Sequence, residues 1–205
     1  MYSMPKGLTA ATGMDALTHA IESYITPGAW VMSDMFELKA IEMIAQNLKA
    51  AVDNGKDVAA REAMSQAQYI AGMGFSNVGL GIVHSMAHPL GAFYDTPHGV
   101  ANALLLPYVM EYNAESPAAP KYIHIAKAMG VDTTGMSEAE GVKAAIEAVK
   151  ALSISINIPQ KLHEINVKEE DIPALAVAAF NDVCTGGNPR PTSVADIEAL
   201  YHKAF

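Results

Sequence analysis

Apolar residues recur at four-residue intervals along much of this chain. Leu17, Ile21 and Ile25 form one such series, and a second series runs from Phe36 to Leu48. This interval places apolar side chains on one face of an α-helix. Alternating apolar and polar runs joined by Asn-Gly or Asp-Gly turns, which indicate β-hairpins, do not occur. The pattern therefore predicts an all-α fold of roughly eight to ten helices.

Local signals predict where several of these helices begin. A helix is expected over residues 14–25, and Ser33 is expected to cap the next helix after a Thr-Pro-Gly break. A third helix is expected over residues 59–73. Ser137 and Ser193 are each followed, three residues later, by an acidic residue, which is the capping-box pattern. No composition shift divides the chain, so we interpret it as one helical domain.

Composition and charge exclude several classes of protein. The chain is 51% hydrophobic and 17% charged, which is typical of a globular domain. Acidic residues outnumber basic residues by 22 to 13, so nucleic acid would be repelled rather than attracted. No apolar run is long enough to span a membrane, no signal peptide is expected, and the single cysteine, Cys184, suits a reducing compartment. We expect a cytoplasmic protein that binds neither nucleic acid nor membranes.

Three of the seven histidines, His84, His88 and His98, lie close together in an otherwise apolar stretch. His84 and His88 are four residues apart, so they share one face of a helix that Pro89 is expected to end. A loop through Pro97 is expected to return His98 to the same cavity. These imidazoles are either core groups with satisfied hydrogen bonds or ligands for a transition metal such as Fe, Zn, Cu or Ni.

Asp15 and His19 offer a second pair at helical spacing. A carboxylate and an imidazole four residues apart project from one helical face and can hold a metal together. A structural role is the alternative, in which Thr12 caps the helix and Asp15 stabilises its first turn. One aspartate and three histidines would leave coordination positions open, as in catalytic sites. Such a donor set accepts Fe(II), Zn(II), Co(II) or Ni(II).

Three longer motifs carry a family resemblance. They read AATGMDALTHAIESYIT, GMGFSNVGLGIVHSMAHPLGAFYDTPHGVANALLLPYVMEYN and NDVCTGGNPR. Over essentially its whole length, the chain resembles the C-terminal, helical, metal-binding half of the iron-containing (group III) alcohol dehydrogenases. The resemblance implies a metal, Fe(II) in most members and Zn(II) in some, held by Asp15, His19, His84 and His98.

The resemblance also implies roles for four other residues. His88 matches a histidine that lies near the nicotinamide and the substrate, outside the metal's coordination shell. There it would contact the cofactor and either act as a catalytic proton relay or orient the substrate and the ribose. Phe75, Leu80 and Cys184 match positions that line the substrate pocket.

By the same resemblance, the activity is oxidation of a small alcohol or reduction of an aldehyde, of the lactaldehyde and 1,2-propanediol type. The metal is the Lewis acid, NAD(H) exchanges the hydride, and the protein is expected to form a homo-oligomer. The alternatives are a catalytically silent metal-binding module and a metal-dependent hydrolase without redox chemistry.

A nucleotide-binding α/β domain precedes the matching segment in family members. No glycine-rich phosphate loop follows a strand in this sequence. We therefore interpret residues 1–205 as a helical iron-binding domain that lacks the nucleotide-binding domain. We expect the chain to be a fragment of a longer protein; the alternative is that another polypeptide supplies the nucleotide-binding domain. Alone, the chain is expected to bind metal, to lack NAD-dependent activity, and to self-associate through the face that carries His88, Phe75 and Leu80.

Overall fold

The computed structural model describes residues 2–205, and within them the regular structure is entirely helical, as the apolar spacing predicts. Four short 3₁₀ segments, the longest at Leu162–Ile165, connect or extend the α-helices. None of the helices described is long and apolar enough to cross a membrane. The α-helices of this part of the chain are α1 (Lys6–Ile25), α2 (Val31–Asp53), α3 (Val58–Val78), α4 (Ile82–Tyr94), α5 (His98–Asn113), α6 (Tyr122–Ala128), α7 (Glu138–Ser155), α8 (Ile172–Phe180) and α9 (Val194–Ala204).

The two predicted capping boxes are confirmed. Ser137 caps α7 and Ser193 caps α9, and each serine accepts a hydrogen bond from the backbone N–H three residues later. In return, the Glu140 and Asp196 carboxylates accept the backbone N–H groups of the two serines, at 2.8 Å in both cases. These helix starts were predictable because every partner lies within four consecutive residues.

Two other predicted helix starts are wrong. Helix α1 begins at Lys6, so Thr12 lies inside the helix and donates its hydroxyl to the Leu8 carbonyl at 2.8 Å instead of capping. Helix α2 begins at Val31, which places Ser33 in the first turn. The Ser33 hydroxyl still accepts a hydrogen bond from the Trp30 N–H at 2.9 Å. Ser33 therefore gives one backbone N–H at the helix start an acceptor, although it lies within the helix.

Pro89 does not end its helix, contrary to the prediction. Helix α4 continues for a further turn to Tyr94, although proline cannot donate the hydrogen bond expected at its position. Met86, Pro89 and Leu90 are all buried, and the helix packs on both α5 and α8. Burial on two sides outweighs the cost of the proline, because tertiary packing supplies most of the stability of a helix in a folded protein.

A single hydrophobic core extends from Ala10 to Ala204. Helix α1 is the central element, because it packs against α2, α3 and α5 and is buried over most of its length. Helix α4 packs on α5 and α8, while α6 pairs with α7. Polar side chains of α1 contact residues of both α4 and α5, so they lie at a junction of three helices.

Candidate metal centre

Asp15, His19, His84 and His98 meet at the junction of α1, α4 and α5. Asp15 and His19 lie one turn apart on α1, His84 lies in the first turn of α4, and His98 is the first residue of α5. A tight connection leads from α4 to α5 and includes Asp95 in the left-handed conformation, with a φ of 54°. This connection returns the chain to the junction, as expected from the sequence around Pro97.

Gly99 permits the close approach of α5 to α1. A Cβ atom at this position would lie 2.4 Å from the carbonyl oxygen of Ala11, which no real side chain tolerates. The absence of a side chain therefore allows the neighbouring His98 to reach Asp15. The His98 Nε2 and Asp15 Oδ1 atoms are 3.5 Å apart.

The donor atoms of this cluster have the spacing that a single cation requires. The Nε2 atoms of His19 and His84 face each other at 3.1 Å, and His84 Nε2 lies 3.9 Å from Asp15 Oδ1. One donor atom from each of these three residues lies within 4.8 Å of the others. Donors that are each about 2.0–2.2 Å from one ion are at most roughly 4.4 Å apart, so the separations of 3.1 and 3.9 Å fit a transition metal. His98 lies 3.5 Å from Asp15 but is not part of this group of three.

Burial favours the neutral, metal-binding form of two of these imidazoles. It lowers the pKa of His19 to about 4, with a further contribution from His84. Burial also lowers the pKa of His98. Burial, the largest single influence, acts in the same direction on His84, but the hydrogen bond to Glu22 and the charges of Glu22, Asp15 and Asp182 together outweigh it and raise the pKa of His84. Metals bind neutral imidazole, so the lowered values of His19 and His98 favour a bound cation near neutral pH.

Glu22 and Asn102 complete the cluster, and the sequence analysis missed both. Glu22 Oε2 lies 2.5 Å from His84 Nδ1. Asn102 donates to Asp15 Oδ1 at 2.7 Å, and its Nδ2 lies 3.0 Å from His98 Nε2. The available signal was helical spacing, because Glu22 follows His19 by three residues and Asn102 follows His98 by four.

His88 lies beside the cluster. Its ring is stacked at 5.4 Å from the ring of His98 and lies 6.2 Å from that of His84, measured between centroids. Its Nδ1 is 2.7 Å from Asp182 Oδ2, a contact that the sequence did not indicate. The side chain is 41% exposed, so one ring nitrogen is held by a carboxylate while the ring remains open to solvent.

The three predicted pocket residues occupy different parts of the site. Phe75 stacks on His19 with 4.4 Å between ring centroids, and both line a cavity of about 390 Å³ together with Asp15. Leu80 and Cys184 are partly buried and do not line this cavity. Cys184 lies beside His88 and Asp182. Burial, with the Asp182 charge, raises the pKa of Cys184 to about 12, so it is a thiol at neutral pH.

Known proteins resemble this chain in both sequence and structure. A family model described as the Fe-containing alcohol dehydrogenase family, C-terminal, matches residues 9–205. Lactaldehyde reductase from Escherichia coli K12 is 60% identical over 205 residues, which are 100% of this chain and 53% of that protein. 1,3-Propanediol dehydrogenase from Klebsiella pneumoniae is 47% identical, and the match covers 100% of this chain and 53% of that protein.

Solved structures give the same result. The crystal structure of a 1,3-propanediol oxidoreductase matches with a TM-score of 0.98 at 47% identity, covering 100% of this chain and 53% of that one. An alcohol dehydrogenase from Oenococcus oeni matches with a TM-score of 0.97 at 41% identity, with the same coverage. This chain spans about half the length of the relatives that it matches.

Proposed function

The chain belongs to the iron-containing alcohol dehydrogenase family, and from this premise we propose that it is the metal- and substrate-binding half of an NAD-linked alcohol dehydrogenase or aldehyde reductase. The observation that carries the proposal is the convergence of Asp15, His19, His84 and His98 at one junction of three helices. The proposed substrates are small alcohols and aldehydes of the lactaldehyde and 1,2-propanediol type, because the relative at 60% identity is named lactaldehyde reductase.

The proposed ligands are Asp15, His19, His84 and His98, and the proposed metal is Fe(II), with Zn(II) as the alternative. A divalent cation held by these residues would supply a Lewis acid for the oxygen of the alcohol or aldehyde. The three imidazoles and one carboxylate bring a single negative charge, so a divalent cation retains positive charge. Asn102 holds the Asp15 carboxylate by its hydrogen bond to Oδ1 and so limits its rotation.

His88 is the proposed proton relay and cofactor contact. Asp182 holds its Nδ1, which leaves Nε2 to exchange a proton with the substrate or with solvent. The ring lies next to His98 and is exposed enough to pass that proton to water. Because side chains do not accept hydride, NAD(H) is required, and we propose that a nucleotide-binding domain outside residues 1–205 holds it.

The substrate carbon chain is proposed to pack against Phe75, Leu80 and Cys184. Phe75 is the part of this surface that touches a candidate ligand, because its ring stacks on His19. It can therefore hold the imidazole and present an apolar face to the substrate. Homo-oligomer formation and a cytoplasmic location belong to the same proposal.

A chimeric enzyme tests this function. This chain is joined to the preceding nucleotide-binding segment of Escherichia coli lactaldehyde reductase, and NADH formation from 1,2-propanediol is measured. We expect turnover by the chimera that is lost on chelation of the metal. Hydrolysis of ester or phosphoester substrates without NAD, and no turnover of alcohols, would replace the proposal with the hydrolase alternative.

Metal analysis of the same chimera tests the ligand set. We predict one divalent transition metal per chain in the parent and a loss of most of it in the His84→Ala variant, because His84 contributes a fully buried donor at the centre of the cluster. The control is His163→Ala, on a histidine that bonds the Phe205 carbonyl instead. Undiminished metal content in His84→Ala would remove His84 from the ligand set.

A further inference from the structure

A buried carboxylate joins the candidate metal centre to the start of α4. The Glu22 residue is 2% exposed, and both of its carboxylate oxygens have partners on α4. Oε1 accepts the Val83 backbone N–H at 2.7 Å, and Oε2 lies 2.5 Å from Nδ1 of His84. One side chain of α1 therefore contacts two consecutive residues of another helix.

Glu22 performs the capping that α4 does not provide for itself. The residue before α4 is Gly81, which has no side chain to accept the free N–H groups of the first turn. A Cβ atom at Gly81 would lie only 2.9 Å from Glu22 Oε1, so glycine also leaves room for the carboxylate. The carboxylate therefore lies at the positive end of the helix dipole of α4.

The contact with Glu22 determines which nitrogen of His84 carries the proton. The Glu22 carboxylate accepts the Val83 N–H through one oxygen and offers an acceptor atom with the other, so His84 Nδ1 is the donor in the 2.5 Å contact. In neutral His84, the lone pair is then on Nε2, the atom that faces His19 and Asp15. A neutral imidazole with its proton on Nε2 would point an N–H at those donors and exclude a cation.

We propose that Glu22 is a positioning residue that locks His84 in the Nδ1–H tautomer and thereby presents the Nε2 lone pair to the metal. A carboxylate that accepts the second N–H of a liganding histidine orients the ring and increases its basicity. This inference rests on the proposed function in one respect, which is that the group bound by His84 Nε2 is a metal. The tautomer itself is a property of the metal-free chain.

Glu22→Gln is the variant that separates orientation from packing. Glutamine has nearly the same shape, and its oxygen can still accept the Val83 N–H, but its amide presents a donor to His84 Nδ1. It therefore favours the Nε2–H tautomer. We expect Zn(II) and Co(II) affinity, measured by calorimetry on the 205-residue chain, to fall roughly 10- to 100-fold.

A spectroscopic readout tests the same variant without metal. The ¹⁵N shifts of His84, measured at a pH where the ring is neutral, are expected to report Nδ1–H in the parent and Nε2–H in Glu22→Gln. The matched control is Glu37→Gln, on another fully buried glutamate that makes no hydrogen bond to His84. It should leave the His84 tautomer and the metal affinity unchanged.

Each outcome supports or overturns the inference. An Nε2–H tautomer in the metal-free parent, or parental affinity and tautomer in Glu22→Gln, would overturn it. If Glu22→Gln does not fold, the tautomer of the parent decides. If the parent binds no metal at all, the proposed function fails, while the ¹⁵N shifts still decide whether Glu22 sets the tautomer.

Discussion

At the scale of single residues, His88 and the candidate ligands are adjacent but have different surroundings. His84 is almost fully buried, whereas His88 is 41% exposed and is held by a carboxylate on its Nδ1. A ligand at the centre of a cluster controls metal content. In our proposal, the partly exposed His88 imidazole moves protons instead.

We therefore predict that His88→Ala in the chimeric enzyme keeps a metal content near that of the parent and lowers kcat roughly 10²- to 10⁴-fold, the usual contribution of a general acid or base. Asp182→Asn should lower kcat less, because the asparagine oxygen still accepts the Nδ1 hydrogen. Metal analysis and steady-state kinetics measure both effects, with His202→Ala as a control. Loss of metal in His88→Ala would instead make His88 a ligand.

Glu37 is a second residue-scale feature, unrelated to the metal. It is fully buried, and within residues 2–205 neither carboxylate oxygen has a hydrogen-bond partner. Burial raises its pKa to about 8, from an ordinary value of 4.5. The folded chain therefore binds a proton that the unfolded chain has released, and stability falls as the pH rises from about 4.5 to about 8.

We predict that Glu37→Gln stabilises the chain at and above neutral pH and has little effect near pH 5, where Glu37 is already uncharged. The gain at pH 7 is on the order of 3 kcal/mol. Urea unfolding at several pH values measures it, with Glu147→Gln, an exposed position, as the control. A stabilisation that is equal at all pH values would mean that burial does not shift the Glu37 titration.

The two liganding and histidine pairs that spacing indicated are local, whereas two of the contacts that were missed join distant residues. Asp15 with His19 and His84 with His88 are each four residues apart on one helix, so spacing alone suggests shared faces. Glu22 contacts His84 across 62 positions, and Asp182 contacts His88 across 94. These partners come together only through the packing of α1, α4 and the segment after α8. No local pattern in a single sequence predicts that packing.

At the scale of helices, starts fixed by neighbouring residues in the sequence were predicted, and starts fixed by contacts with distant residues were not. Helices α7 and α9 carry their own capping boxes, whereas α1 begins after Pro5 without a side-chain cap. The first turn of α4 takes its acceptor from α1. Helices without local caps depend on contacts with other helices, so their limits were set wrongly or left undefined.

The capping boxes give a prediction at this scale. Ser193→Ala should lower the free energy of unfolding by about 0.5–2 kcal/mol, because it removes the acceptor for the Asp196 N–H. Hydrogen exchange should increase most in the first turn of α9. Ser76→Ala, an exposed position within α3, is the control and should change stability little. Equal effects of the two substitutions would show that the capping box does not stabilise α9.

At the scale of the whole molecule, the face around the candidate site is partly apolar. Val183, next to Cys184, is 91% exposed, while Phe75 and Leu80 are partly exposed near the candidate site. Apolar groups gathered at one site usually mark a surface that another domain or molecule covers. A nucleotide-binding domain outside residues 1–205, as we propose, would cover such a surface.

We predict that the isolated 205-residue chain binds metal but forms no NADH from 1,2-propanediol, and that it self-associates through the face of His88, Phe75 and Leu80. Sedimentation velocity should show a concentration-dependent dimer or larger species, reduced by a Val183→Lys substitution. Tight NAD binding and turnover by the chain alone would place the cofactor site within these helices and contradict the proposal.

The facing Nε2 atoms of His19 and His84 belong to residues 65 positions apart in the chain. An ion shared by the two would close a loop that contains all of α2 and α3, as a disulfide closes a loop. Because the ligands are brought together only in the folded state, the free energy of binding would add directly to that of folding. The supply of the proposed metal would then set the fraction of chains that are folded, as well as the fraction that can be active.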